Sequence, residues 1–405
     1  MSAGGRTLRA AALRDLPILP YRRWRPALPG GLLEGGPIFP EAAPGFVHMP
    51  LRGGGLWARG PACAPPGTPF APLPGRFAYG GPCVEHFGHM LGEFVHRLWV
   101  LHERPDLTPL FVATARAAAL PRYVADWLGL IGARPAAVVT APSIVEEILL
   151  GEPGRLLGCP ADPAHGAAFG ARLPPALLNP QGEAPRLAIL RGHLQTGRCV
   201  GEAWIEAALA AEGYRILRPE TLPLAAQIAA LTGAERIVMA EGSAMHLLDI
   251  LPPIRAEVAV LARGPGTRLA EHCLGGKVGR LALFRPRFLI GTLDPGHPRS
   301  NAIAFLEPRD FLAFLAEQGF AAAPPAGGFL DAPGLLEADL GAYAAHWGRG
   351  NRAGAAAEFL ARAIAACRAG RPDPVLRAGL APRRALARPA LTRRHPPAKG
   401  SAERG

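Results

Sequence analysis

From residue 81 onward the chain alternates short apolar runs with amphipathic segments. Residues 107–113 and 136–140 read as buried strands. Between them 121–131 reads as an amphipathic helix opening on Pro121, which suits a first helical turn. Four further runs, at 186–190, 214–217, 236–240 and 257–262, read as strands. Helical patterns at 202–212, 224–232 and 244–251 separate them, and Gly213 and Gly233 stop the first two. Alternation of this kind predicts parallel sheets covered by helices, and the second set predicts a doubly wound α/β domain. Residues 1–80 are broken by glycine and proline and predict an irregular segment with short hairpin strands near 45–49 and 55–58. The proline-rich stretch LPPALLNPQGEAP marks a domain boundary near residue 180. After Gly264 the pattern weakens: strands are expected at 281–284 and 288–290, and helices at 308–318 and 342–369, the last broken at Gly348 and Gly350.

One stretch, GPCVEHFGHMLGEFVHRLWVL at 81–101, concentrates polar chemistry on an apolar body. His86, His89, Glu93 and His96 recur at steps of three and four, which places them along one stripe of a helix. Phe87, Met90, Leu91, Phe94, Leu98 and Leu101 fill the neighbouring faces. Burying such a stripe is costly unless its groups find partners, so the stretch is a candidate site. The alternative is a satisfied structural network, with Glu93 paired to Arg97 one turn on.

The 405 residues suffice for two or three cored domains. The net charge of +12 suggests nucleic acid, but residues 376–405 hold eight arginines and lysines against one glutamate, and so account for +7 of it. That proline- and arginine-rich tail predicts disorder and suits peripheral contact with an anionic membrane; no specific nucleic-acid binding is expected. Six cysteines, Cys63, Cys83, Cys159, Cys199, Cys273 and Cys367, stand singly, which fits a reducing, cytoplasmic setting rather than a disulfide framework. The N-terminus lacks the apolar core of a signal peptide, and no run of about eighteen apolar residues predicts a membrane span.

In an open α/β sheet, ligands bind beyond the carboxyl ends of the strands. Two loops qualify. RGHLQTGRCVG at 191–201 offers Arg191, His193 and Arg198; Glu241-Gly242-Ser243 opens a helix with free N–H groups. Arginine forks beside a helix terminus suit a phosphate or diphosphate.

The order of these pieces resembles glycosyltransferase family 61, whose bacterial members are often called capsular polysaccharide biosynthesis proteins. The resemblance rests on His86-Phe87-Gly88-His89-Met90-Leu91-Gly92-Glu93 followed by His96-Arg97-Leu98, then on Arg191, Arg198, Gly201-Glu202, Gln227 and Glu241-Gly242-Ser243 with His246. Met90 stands where the family usually has tryptophan, Glu93 where it has aspartate, and Gly201 where it has asparagine; Glu241 and His246 also depart from its pattern. The resemblance implies two Rossmann-like domains of GT-B type: an acceptor-side domain at 81–180 and a nucleotide-sugar domain at 181–290. The irregular segment at 1–80, a mixed helical extension at 291–375 and the disordered basic tail at 376–405 complete the chain.

It further implies direct, inverting transfer of a sugar from a nucleotide-sugar donor to a glycan or lipid-linked acceptor, without metal or other cofactor. His89 or Glu93 would be the base. Arg191, Arg198, Gln227, Gly242 and Ser243 would hold the donor. His86 and Arg97 would lie on the acceptor side. The setting implied is the bacterial cytoplasm, at the periphery of the inner membrane. Two other functions remain open on the residues alone. One is a metal-dependent hydrolase with His86, His89 and Glu93 as ligands; the other is a non-catalytic, glycosyltransferase-like binding protein.

Overall fold

The structure, a computed structural model, describes residues 2–3, 6–22, 33–38, 49–50, 56–59, 63–156, 159–264, 266–294, 301–322 and 327–380. Of the tail expected to be disordered at 376–405, residues 376–379 close a helix, Pro374–Gly379, and those from 381 onward lie outside the described residues. Of the hairpin strands expected near 45–49 and 55–58, residues 45–48 and 55 lie outside them, while Leu56–Arg59 is a strand paired antiparallel with Met49–Pro50.

A short ribbon, β1 (Ser2–Ala3) with β2 (Arg6–Thr7), precedes an eight-stranded mixed sheet. That sheet is built from β3 (Ala10–Arg22), β4 (Leu33–Pro37), β5 (Met49–Pro50), β6 (Leu56–Arg59), β7 (Ala71–Pro82), β8 (Thr108–Val112), β9 (Ala137–Val139) and β10 (Ser143–Gly151). Its order is β5-β6-β4-β3-β10-β7-β8-β9. From β10 to β9 the strands run parallel, while β3 runs antiparallel to both β10 and β4. Two expectations are corrected here. Residues 1–80 are not a separate segment, because β3 to β7 belong to this sheet. Nor is the first half an all-parallel Rossmann-like unit, because β3 enters it antiparallel.

The second sheet holds β11 (Arg186–Ile189), β12 (Arg215–Ile216), β13 (Arg236–Ala240), β14 (Glu257–Leu261) and β15 (Arg280–Phe284). All five run parallel in the order β12-β11-β13-β14-β15. Counted within the sheet this is 2-1-3-4-5, a doubly wound order whose direction reverses between β11 and β13. Successive residues serve opposite faces. Leu187, Ile237, Met239, Val258 and Val260 join the core shared with the first sheet; Ala188, Val238, Ala259 and Leu261 join a second core with Phe311 and Leu315. Both faces are covered, which is why these strands read as unbroken apolar runs. The antiparallel pair β16 (Phe288–Gly291) and β17 (Ile303–Phe305) follows, with helices Pro308–Glu317, Leu335–Trp347 and Ala353–Arg368. A bridge from Cys199 to Ala304 ties β17 to the loop after β11. No helix among the described residues is long and apolar enough to cross a membrane.

The polar stretch is not one helix. An α-helix spans Phe87–Gly92, Glu93 leaves helical geometry at φ −137°, and a 3₁₀ segment runs from Phe94 to His102. Its three-residue turn begins where His96 N–H donates to Glu93 O at 3.2 Å. The break divides the expected stripe. His89 stays half-buried, Glu93 is nearly buried behind it, and His96 and Arg97 are fully buried.

Candidate functional site

The site begins where β11, β13 and β14 end, on either side of the topological reversal. Arg191 follows β11. Its loop is closed by Glu202, whose buried carboxylate accepts from the N–H of Arg191 and of Cys199, each at 2.5 Å. Burial holds the Glu202 carboxyl above the usual range, opposed by those two N–H groups. The Arg191 guanidinium donates from Nε to Gly197 O at 2.8 Å and from Nη2 to Thr196 O at 2.9 Å.

Arg263, just past β14, donates from Nη1 to the same Gly197 O at 3.1 Å, and its N–H donates to Glu241 Oε2 at 3.0 Å. Two guanidinium groups therefore converge on one carbonyl oxygen. Burial first, and then Arg263, lowers the Arg191 pKa to about 10. Holding like charges together costs free energy that a bound anion offsets. Gly242 makes room for this: a Cβ there would stand 2.9 Å from Arg191 Nη1. That nitrogen has no hydrogen-bond acceptor among the described residues.

Opposite the strand ends lies the helix Phe87–Gly92, packed on the 3₁₀ segment Ser243–Ile250. Two glycines one turn apart allow this approach. A Cβ on Gly88 would lie 2.8 Å from His246 Cδ2, and one on Gly92 would lie 2.7 Å from His246 Nδ1. The helix thus carries the small residues at i and i+4 that close backbone contact requires. His86 caps its start, with Nδ1 accepting from His89 N–H at 3.3 Å. His89 Nδ1 sits 3.0 Å from Glu93 Oε1. The His89 side chain keeps 25 % of its surface and Glu93 only 8 %, so the imidazole faces outward and the carboxylate backs it. Desolvation in its crowded surroundings first, and then His89, His246 and Arg263, lower the His86 pKa to about 4.

A buried polar seam runs beneath. His246 Nδ1 is 2.8 Å from Asp249 Oδ2, and Arg155 Nε is 3.0 Å from Asp249 Oδ1. His96 lies 3.1 Å from His165 Nε2 through Nδ1, and 3.0 Å from Leu91 O through Nε2. Lys277 donates to the carbonyls of Leu248 and Leu251. Its pKa falls to about 8, mainly through burial. Among the described residues, His246, Asp249 and Cys273 are the set whose ligand atoms converge, within 4.8 Å of one another. Arg155 already balances Asp249, and Lys277 adds a second cation nearby, so the charge there favours no metal ion. His86, His89 and Glu93 do not form such a set.

The seam makes stability depend on acid. Burial holds His96 well below its ordinary value and His165 at about 4. Both folded values lie beneath that of the unfolded chain, so the unfolded chain binds more protons as pH falls. Stability is full above about pH 6.5 and is lost progressively toward pH 4; His165 alone accounts for on the order of 2–3 kcal/mol. Melting temperature measured against pH checks this, and a flat profile from pH 7 to 4.5 would contradict it.

The residues singled out in the sequence divide in two. Arg191 and Gly242 meet at the strand ends, and His86, His89 and Glu93 lie on and beside the helix that packs against Ser243–Ile250. Ser243 opens the 3₁₀ segment there, half-buried. Arg198 does not join them. Its guanidinium is 1 % exposed and forks onto Asp339, with Nη1 at 3.0 and 2.8 Å from the carboxylate oxygens, which ties the loop to the helix Leu335–Trp347. Arg97 is also withdrawn: Nη1 donates to Gly151 O at 3.0 Å, and the guanidinium lies 5.9 Å from the Tyr79 ring centroid. Gln227 donates to Leu222 O at 2.9 Å on the helix Leu224–Gly233, which packs on the helices Pro175–Leu178 and Arg122–Leu130. All three side chains are thus engaged in contacts within the fold, away from Arg191 and Gly242. The sequence reading missed Arg263, whose signal was the one that revealed Arg191: an arginine directly after a buried strand. It also passed over Gly88 and Gly92, which it took only as spacing.

Residues 87–256 match the family model of a glycosyltransferase, and the chain is a glycosyltransferase enzyme. The matching model is that of Glycosyltransferase 61, and the match runs from the first residue of the helix Phe87–Gly92 to the residue before β14. A comparison with curated proteins found no match. Arg263 lies seven residues beyond the matched segment.

Proposed function

We propose that this enzyme moves a sugar from a nucleotide-sugar donor to a hydroxyl of a glycan or lipid-linked acceptor, by inversion and without a metal ion. The observation that carries the reading is the convergence of Arg191 and Arg263 on Gly197 O at the switch point of the second sheet. Two fixed guanidinium groups supply there the positive charge that stabilises the negative charge a leaving nucleoside diphosphate develops. The acceptor enters from the first sheet, across a groove of GT-B type. His89 Nε2 takes the proton of the acceptor hydroxyl while Glu93 holds the imidazole. The acceptor oxygen bonds to the anomeric carbon from the face opposite the diphosphate. The bond from that carbon to the diphosphate oxygen breaks, and its electron pair leaves on the diphosphate between the two arginines.

The test is release of nucleoside diphosphate from a panel of nucleotide sugars in EDTA, with the product's anomeric configuration read by NMR. Inverted product is expected, and Glu93→Gln is expected to lower kcat about 10²-fold with little change in KM for the donor. Retained configuration, or activity only with a divalent cation, would overturn the reading.

A further inference from the structure

His246 belongs to neither group just assigned. Its Nδ1 is 2.8 Å from Asp249 Oδ2, and the other Asp249 oxygen is 3.0 Å from Arg155 Nε. A carboxylate offers only acceptors, so Nδ1 carries the proton, and in the neutral ring Nε2 is a bare lone pair. No described residue donates a hydrogen bond to Nε2. The glycine bed fixes which way this atom faces. A Cβ on Gly92 would meet Nδ1 at 2.7 Å, while one on Gly88 would meet Cδ2 at 2.8 Å and Nε2 at 3.3 Å. The ring therefore lies along the helix with Nε2 toward its start, where His86 stands. His86 in turn lies within electrostatic reach of both His246 and Arg263.

A lone-pair nitrogen cannot serve a phosphate, whose oxygens are acceptors too. It requires an O–H donor. His246 also sits on the segment that leads on from Gly242, the residue against Arg191. We propose that His246 Nε2 accepts a hydrogen bond from a hydroxyl of the transferred sugar, so that the row Arg155–Asp249–His246 selects the donor by its sugar. This rests on the nucleotide-sugar reading above and deepens it. Asp249 is a positioning residue: it fixes the tautomer, as the aspartate does in a serine protease triad.

The experiment compares, by titration calorimetry, a nucleoside diphosphate with the nucleotide sugar that wild type turns over best. It uses wild type, His246→Leu and Asp249→Asn, each with its melting temperature recorded. Unchanged diphosphate affinity with a nucleotide-sugar Kd raised about 10-fold in both variants is expected. A second arm needs no drastic variant. Singly deoxygenated donors are titrated into wild type; one position should lose about 10-fold in affinity, and that loss should vanish in His246→Leu. Equal weakening of diphosphate and sugar nucleotide, no change in either variant, or a raised KM for the acceptor alone would overturn the proposal. A wild type that binds no nucleoside diphosphate would instead remove the underlying reading, and this inference with it.

Discussion

Arg191→Ala is expected to lower kcat/KM for the nucleotide sugar by about 10²- to 10³-fold, the usual cost of removing one preorganised donor to a developing negative charge. The guanidinium is held by two loop carbonyls and not by a carboxylate side chain. Its positive charge is therefore available to a ligand. Removing it also relieves repulsion with Arg263, so the fold should not suffer in proportion: a modest change in melting temperature is expected beside the large kinetic loss. Steady-state kinetics with a melting curve on the same preparation checks both halves. A variant that keeps full activity would show that the diphosphate is bound elsewhere.

Arg198→Ala, seven residues along the same loop, should act in the opposite way. It leaves Asp339 with a half-buried carboxylate stripped of its guanidinium partner. Breaking one side of a buried ion pair costs about 3–5 kcal/mol. The Gly201 N–H, which also donates to Asp339 at 3.2 Å, softens the loss without replacing a charge. Denaturant unfolding should therefore show a large drop in midpoint. Any protein that remains folded should still bind nucleoside diphosphate, because Arg191 and Arg263 are anchored through Gly197 and Glu241. A stable Arg198→Ala variant that had lost nucleotide binding would return Arg198 to the donor site.

This contrast marks what the sequence could tell. Both arginines look alike in RGHLQTGRCVG, and only the fold brings Asp339, 141 positions away, onto one of them. The second sheet was legible because its parallel strands are covered on both faces and are punctuated by glycine. The first sheet was not. Pro17 and Pro20 lie within β3, and Pro72, Pro74 and Gly75 within β7, so neither reads as a strand locally. Their pairing is also long-range, with Ile18 opposite Ser143. The groove was half legible. Three-and-four spacing revealed His86, His89 and Glu93, but the same periodicity ran on through His96 and Arg97, because nothing local announces the backbone break at Glu93. Gly88 and Gly92 acquire meaning only when His246 is seen lying on them.

The central claim, a diphosphate held between Arg191 and Arg263, is tested most directly by thermal melting of the purified protein with a panel of nucleoside diphosphates in EDTA. A ligand that binds only the native state raises its melting temperature, by about 2.7 kcal/mol of stabilisation at a hundred times its Kd. The account predicts a clear rise with one or two nucleotides that survives EDTA and disappears in both Arg191→Ala and Arg263→Ala. No rise with any nucleotide, or a rise that persists in both variants, would contradict it.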